Sequence, residues 1–104
     1  MTGQSADQYK YRVKWSSRFK KDYKLAIKRG YDISLIDDVI RLIAMGDQQK
    51  KLIDEYDDHE LSGDWKGHRE LHILPDWLLI YYVQDDTLVL NLSRTGTHSD
   101  LFKK

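Results

Sequence analysis

The chain has no cysteine and a single proline among its 104 residues. Without cysteine there are no disulfide bonds, thiolate zinc sites or cysteine nucleophiles, and the composition is compatible with a reducing cytosol. No apolar run approaches the roughly 20 residues that a membrane-spanning helix requires, and residues 1–8 contain no apolar signal core. We therefore expect a soluble, cytoplasmic protein that has no membrane partner.

An excess of charge of one sign is also missing, because 17 Lys and Arg balance 17 Asp and Glu. The balance hides an asymmetry: residues 1–51 hold 12 basic and 6 acidic residues, whereas residues 52–104 hold 5 and 11. Phosphate backbones bind to local basic surfaces, so the contacting face matters more than the total charge. The neutral total weakens a nucleic-acid interpretation without excluding it.

A chain of this length forms one core, and its 40% hydrophobic content is typical of a folded domain. Residues 1–8 are polar and show no periodicity, so we expect a disordered N-terminal extension. Residues 9–104 would form a single domain.

Hydrophobic periodicity predicts an α+β fold with the order β-α-α-β-β-β. An alternating strand over residues 9–15 precedes two amphipathic helices, one ended by Gly30 and one over about 34–45, which would form a helical hairpin. The pattern fails over residues 47–67 and predicts a long loop there. Strands at about 67–73, 77–83 and 87–94 would complete a mainly antiparallel four-stranded sheet, with a short C-terminal helical turn.

All four histidines lie within residues 59–77 and 94–98. If loop, strand ends and tail meet on one face, they bring together three imidazoles, one carboxylate and one guanidinium, those of His59, His72, His98, Asp76 and Arg94. These groups suit RNA cleavage by internal transfer, in which a base activates the ribose 2′-hydroxyl and an acid protonates the leaving 5′-oxygen. Arginine matches phosphate geometry and is always charged. No metal or cofactor is needed, because the nucleophile belongs to the substrate.

Each of these five side chains also has a purely structural interpretation, as a loop, strand or turn residue. The candidate substrate-binding residues likewise have both a structural and a functional interpretation. Trp77 fits the core or a base stack, and Phe102 fits a core plug or a stacking platform. The basic residues of the first helix form either a solvated face or a surface that follows phosphates; they are Lys20, Lys21, Lys24, Lys28 and Arg29.

Clustered histidines also suggest a metal site, but the spacing argues against one. His68 and His72 share a face of the predicted strand and lie about 13 Å apart at roughly 3.3 Å per residue. Without cysteines or a His-Glu-x-x-His motif, we expect no metal.

At these residues the sequence resembles the YafQ branch of the RelE/ParE superfamily of bacterial type II toxins. The similarity lies in the run His59-x-Leu61-x-Gly63-x-Trp65-Lys66-Gly67-x-Arg69-Glu70-x-His72-x-x-Pro75-Asp76-Trp77-x-Leu79-Ile80-Tyr81, followed by Arg94-Thr95-Gly96-Thr97-His98-x-x-Leu101-Phe102. It extends from about Tyr11 to Phe102 and includes the helical pair.

The resemblance implies a RelE-like fold and an mRNA interferase that enters the ribosomal A site and cuts the codon there. It implies a cognate antitoxin that neutralises the toxin and with it represses their operon, so that operator DNA is bound only through the antitoxin complex. His59, His72, Asp76 and His98 match the family's acid–base set. Arg94 matches its phosphate-stabilising arginine, and Phe102 its terminal aromatic near the substrate. His98 would be the general acid, and His72 or Asp76 the base or its orienting group.

Two features depart from the family pattern. The total charge is lower than that of strongly basic ribosome-dependent toxins, so affinity for ribosomal RNA would depend on residues 10–29. The acidic run over residues 54–58 would either weaken RNA approach or contact the antitoxin. Two alternatives stay open: a ParE-like toxin that binds a topoisomerase without hydrolysis, and an inactive relative that serves in a repressor complex.

Overall fold

The computed structural model describes residues 9–102. The expected N-terminal extension, residues 1–8, and the last two lysines lie outside the described residues. Between them the chain forms five strands and four α-helices, in a single α+β arrangement. No helix within residues 9–102 is both long and apolar enough to cross a membrane.

The first two helices match their predicted positions, and local capping explains their ends. Helix α1 (Ser17–Lys28) follows strand β1 (Arg12–Trp15) and begins after Ser16, whose side chain accepts from the Phe19 amide. Helix α2 (Ile33–Met45) begins after Asp32 and ends at Gly46, which adopts the left-handed conformation at φ 81°. A hydrogen bond from Tyr23 to Asp37, at 2.9 Å, links the two helices.

The prediction of a long loop over residues 47–67 is wrong. Helix α3 (Gln49–Tyr56) lies there, followed by the short strand β2 (His59–Glu60) and a single 3₁₀ turn (Gly63–Trp65). The helix was missed because Leu52 is its only fully buried residue, so the apolar period is too weak to detect. Ion pairs four residues apart, Lys50–Asp54 and Lys51–Glu55, stabilise it instead.

The sheet has five strands in the order β1-β5-β4-β3-β2, one more than predicted. Strands β3 (Arg69–Leu74), β4 (Trp77–Gln84) and β5 (Val89–Gly96) form an antiparallel meander. Strand β1 pairs in parallel with β5, and β2 adds to the other edge through β3. The predicted fold class is confirmed, and the extra strand is the two-residue segment that carries His59.

Helices α1, α2 and α3 cover one face of the sheet and leave the other for the site. Apolar residues of the three helices pack against the sheet positions Leu71, Ile73, Leu79, Leu90 and Leu92 in the main core. On the opposite face Leu78 and Ile80 pack with Leu101 of the C-terminal helix α4 (His98–Phe102). Because side chains alternate along a strand, Glu70 and His72 share this second face.

Candidate active site

Three histidines form a row across the second face of the sheet. The rings of His59 on β2 and His72 on β3 lie 6.2 Å apart between centroids, and those of His72 and His98 lie 5.8 Å apart. Phe102 continues the row, 6.4 Å from His98. The structure therefore brings together residues that are separated by up to 43 positions along the chain.

His98 is oriented by Asp76 from the turn between β3 and β4. The Asp76 carboxylate accepts from the His98 backbone amide at 2.9 Å and contacts ring atom Nδ1 at 2.7 Å. The backbone amide, followed by the ring, lowers the pKa of Asp76. Because an ionised carboxylate only accepts hydrogen bonds, Nδ1 carries the proton and Nε2 is left for chemistry.

The other two histidines converge on a carboxylate that the sequence analysis did not select. His59 Nε2 lies 3.3 Å and His72 Nε2 lies 3.8 Å from Glu70 Oε1. His59 Nδ1 contacts the Asp57 carbonyl oxygen at 2.7 Å, and the Asp57 carboxylate lies 3.6 Å from His72 Nε2. The sequence did carry a signal for Glu70: the side chains of β3 alternate between the two faces of the sheet, so Glu70 shares a face with His72.

The Arg94 guanidinium is held by Asp22 of α1. Its Nε and Nη2 donate to Asp22 of α1 at 2.7 and 3.2 Å, and its side chain is only 15% exposed. Strand β1 is too short to pair with the end of β5, so Asp22 also accepts from the unpaired Thr95 amide. Arg94 lines a cavity of about 350 Å³ beside α4 with Asp22, Leu25, Ser99 and Asp100.

Two other candidate substrate-binding residues have structural roles. Trp77 is 1% exposed and donates from Nε1 to Thr95 Oγ1 at 3.0 Å, so it belongs to the core and cannot stack on a base. Arg29 donates to both carboxylate oxygens of Asp100, at 2.7 and 3.3 Å, and ties α1 to α4.

The four candidate lysines of α1 and the terminal aromatic are exposed, as binding residues must be. The lysines lie on the solvent side of the helix, and no ion pair within residues 9–102 involves them; they are Lys20, Lys21, Lys24 and Lys28. Phe102 is 38% exposed at the end of the row.

His68 lies apart from the row. Its ring contacts Trp65 and Tyr82 edge-on, with centroids 5.1 and 4.9 Å away. Within the described part of the chain, no group of three or more His, Asp or Glu side chains is placed to hold a metal ion.

Comparison with known proteins gives a consistent result. A family model described as a bacterial toxin of type II toxin–antitoxin systems, YafQ, matches residues 11–103. The mRNA interferase toxin YafQ of Escherichia coli K12 is 40% identical over 90 residues, or 86% of this chain and 94% of that protein. The crystal structure of YafQ from E. coli BL21(DE3) has a TM-score of 0.79 at 38% identity and covers 88% of this chain and 98% of that one. The crystal structure of the E. coli DinJ–YafQ toxin–antitoxin complex also matches, with a TM-score of 0.77 at 39% identity. That match covers 89% of this chain and 98% of the matched chain.

The fold, the histidine row and these matches define a toxin of a bacterial type II toxin–antitoxin system. The chain belongs to the YafQ family of such toxins, since the family model spans nearly all of it. The resemblance drawn from the sequence is confirmed. So is the predicted enzyme class, an endoribonuclease toxin, which is that of the E. coli relative.

Proposed function

We propose that this toxin cleaves mRNA in the ribosomal A site by metal-free acid–base catalysis. The observation that supports the proposal most is the His98–Asp76 pair at the end of the histidine row. Within residues 9–102, it leaves one ring nitrogen of a 53% exposed imidazole without a carboxylate partner. A fixed tautomer beside other imidazoles is an arrangement suited to proton transfer.

In the proposed reaction His72 removes the proton of the ribose 2′-hydroxyl. The 2′-oxygen then bonds to the adjacent phosphorus, and the bond from phosphorus to the 5′-oxygen breaks. His98 protonates the departing 5′-oxygen from Nε2, which leaves a 2′,3′-cyclic phosphate and a 5′-hydroxyl. Asp76 orients His98, because it contacts that ring and not His72. Each placed acid or base typically contributes about 10²–10⁴-fold in rate.

Substrate binding would use groups on either side of these histidines. Phe102 is placed to stack on a base next to His98, and stacking on an aromatic ring is worth about 1–3 kcal/mol per base. Arg94 remains a candidate for the phosphate through Nη1, the guanidinium nitrogen that does not donate to Asp22. The exposed lysines of α1 would contact ribosomal RNA.

A cognate antitoxin would neutralise the toxin in the cytoplasm, and operator DNA would be bound only through that complex. The support is the family relationship, because the E. coli relative crystallises with its antitoxin DinJ.

Cleavage of mRNA on programmed ribosomes tests the proposal. We expect the purified toxin to cut the A-site codon and His98→Gln to lose activity by at least about a hundredfold. His68→Gln is the matched control, because that histidine lies outside the row, and it should cut at nearly the wild-type rate.

Other outcomes distinguish the alternatives. A toxin that arrests growth after His72 and His98 are both replaced would be a non-hydrolytic, topoisomerase-binding toxin. A wild-type chain that is harmless when expressed alone would be an inactive relative. Either result would refute the proposed function.

A further inference from the structure

Glu70 is a buried carboxylate beneath two of the three histidines in the row. Its side chain is 6% exposed, and Oε2 has no hydrogen-bond partner within residues 9–102. A carboxylate that is removed from water is costly unless an opposite charge or a proton compensates it. The groups around it therefore decide its state.

The groups that face Glu70 come from three elements. His59 approaches from β2, His72 from β3, and the Asp57 carboxylate lies beyond His72 in the segment between α3 and β2. The neighbouring arginine, Arg69, points to the other face of the sheet and donates to Asp58. Among residues 9–102, no Lys or Arg pairs with Glu70, so its charge is either compensated by an imidazole or removed by a proton on Glu70 itself.

His59 is the better placed of the two imidazoles, because both of its nitrogens face oxygen acceptors. Nδ1 lies 2.7 Å from the Asp57 carbonyl oxygen, which only accepts, so Nδ1 must carry a proton. Nε2 lies 3.3 Å from the Glu70 carboxylate. Opposite an ionised Glu70, a neutral ring would place the Nε2 lone pair against the carboxylate, whereas a doubly protonated ring presents an N–H to each oxygen. A protonated Glu70 would instead donate to Nε2 and leave that nitrogen unprotonated.

We propose that Glu70 is a positioning residue that holds His59 as a fixed imidazolium ion beside the scissile phosphate. His59 then has no nitrogen available for proton transfer and acts by its charge. It would add positive charge beside the phosphate, where Arg94 has only Nη1 free of Asp22. Proton transfer is left to His72 and His98, so the inference rests on the proposed function and refines it.

The protonation of His59 can be measured without any reaction. In a ¹H–¹⁵N spectrum of the full-length toxin labelled at histidine nitrogens, at pH 7, we expect both His59 nitrogens to have the shifts of protonated atoms. In Glu70→Gln the amide can donate to Nε2, so that nitrogen should move to the unprotonated position. The ring-nitrogen signals of His98 are the internal control and should not move between the wild type and Glu70→Gln.

Asp57→Asn is the matched control variant. Its carboxylate also lies within 4 Å of the row but contacts His72 rather than His59, and the backbone carbonyl that His59 uses is retained. The Nε2 signal of His59 should therefore stay in the protonated position. If Nε2 is unprotonated in the wild-type toxin, the proposal is wrong whatever the activity.

Cleavage kinetics on programmed ribosomes then test the role in catalysis. We expect Glu70→Gln to lower the single-turnover rate constant by roughly tenfold to a hundredfold. Glu70→Asp keeps the negative charge and should retain more of the rate constant than Glu70→Gln. A merely structural defect would lower the rate and leave the His59 Nε2 signal in the protonated position.

The outcomes separate this inference from the proposed function. A Glu70→Gln toxin that loses the Nε2 proton but cleaves at the wild-type rate would refute the positioning role. A wild-type toxin with the expected spectrum that leaves programmed ribosomes uncut would refute the proposed function instead. Should Glu70→Gln fail to fold, the wild-type spectrum and Glu70→Asp, which keeps the charge, still decide the question.

Discussion

Replacing Asp58 with alanine should weaken both the fold and the position of His59. Asp58 immediately precedes β2, and its side chain is 3% exposed. It accepts a hydrogen bond from Arg69 Nε at 2.5 Å and another from the Tyr81 hydroxyl. Burial of the Tyr81 ring, together with the nearby carboxylate, raises the pKa of the tyrosine. The strand that carries His59 is therefore anchored to the core through this carboxylate.

The size of the effect follows from what the substitution leaves behind. A buried hydroxyl without a partner costs about 1–3 kcal/mol, and Tyr81 is 3% exposed. Arg69 is 36% exposed, so water screens its lost ion pair, which adds about 0.5–1 kcal/mol. We expect Asp58→Ala to lower the free energy of unfolding by about 1.5–4 kcal/mol. Tyr81→Phe removes one hydrogen bond and leaves Oδ2 of the buried Asp58 carboxylate without that donor, so it should cost about 1–3 kcal/mol.

Urea denaturation of the two single variants and the double variant measures this coupling. In the Tyr81→Phe background no hydroxyl is left unpaired, so Asp58→Ala should cost at least about 1 kcal/mol less than in the wild type. The reasoning would be wrong if the losses of unfolding free energy in the two single variants simply added in the double variant. It would also be wrong if the unfolding free energy of Asp58→Ala lay within about 0.5 kcal/mol of the wild-type value, because the hydrogen bonds of Asp58 would then contribute little.

Two further predictions concern backbone and charge. In urea denaturation, Gly46→Ala should lower the free energy of unfolding by clearly more than Gly30→Ala. Both glycines have φ near +80°, but only at Gly46 would the new Cβ meet Lys10, at 2.7 Å from Cδ. Equal losses of unfolding free energy would refute the reasoning. Arg29 and then the Thr97 amide hold the pKa of Asp100 below its usual range, so the stabilisation is present above about pH 4 and is lost as the pH falls. The difference between wild type and Asp100→Asn in unfolding free energy should therefore shrink from pH 5 to pH 2.5, and a constant difference would contradict it.

Hydrophobic periodicity and helix-capping residues are enough to predict most of the fold from the sequence. Gly30, predicted from the sequence to end the first helix, directly follows the α1 cap Arg29 and has φ 80°. Helix α3 was not predicted because its stabilising ion pairs lie on the solvent side and only one of its residues is fully buried. Strand β2 is two residues long, too short for any alternation to be visible.

The site was only partly predictable because sequence position does not identify side-chain partners. Spacing and resemblance selected His59, His72 and His98, which the structure places in one row. The partner of Arg94 was not predictable: Asp22 is recruited because β1 ends before it can cover the Thr95 amide. Such a contact depends on the relative lengths of two strands, which no local pattern encodes.

The same partner choices explain how a chain of zero net charge keeps a basic surface. The acidic run over residues 54–58 is divided among separate contacts, since Asp54 and Glu55 pair with lysines of α3 and Asp58 with Arg69. Further carboxylates, Asp22 and Asp100, hold arginines.

These acidic residues therefore lie beside specific cations. The lysines of α1 keep their charge at the surface, where it acts on a phosphate backbone over roughly one Debye length of about 8 Å at physiological ionic strength. If the proposed function holds, local charge, rather than the total, would bring this toxin to ribosomal RNA.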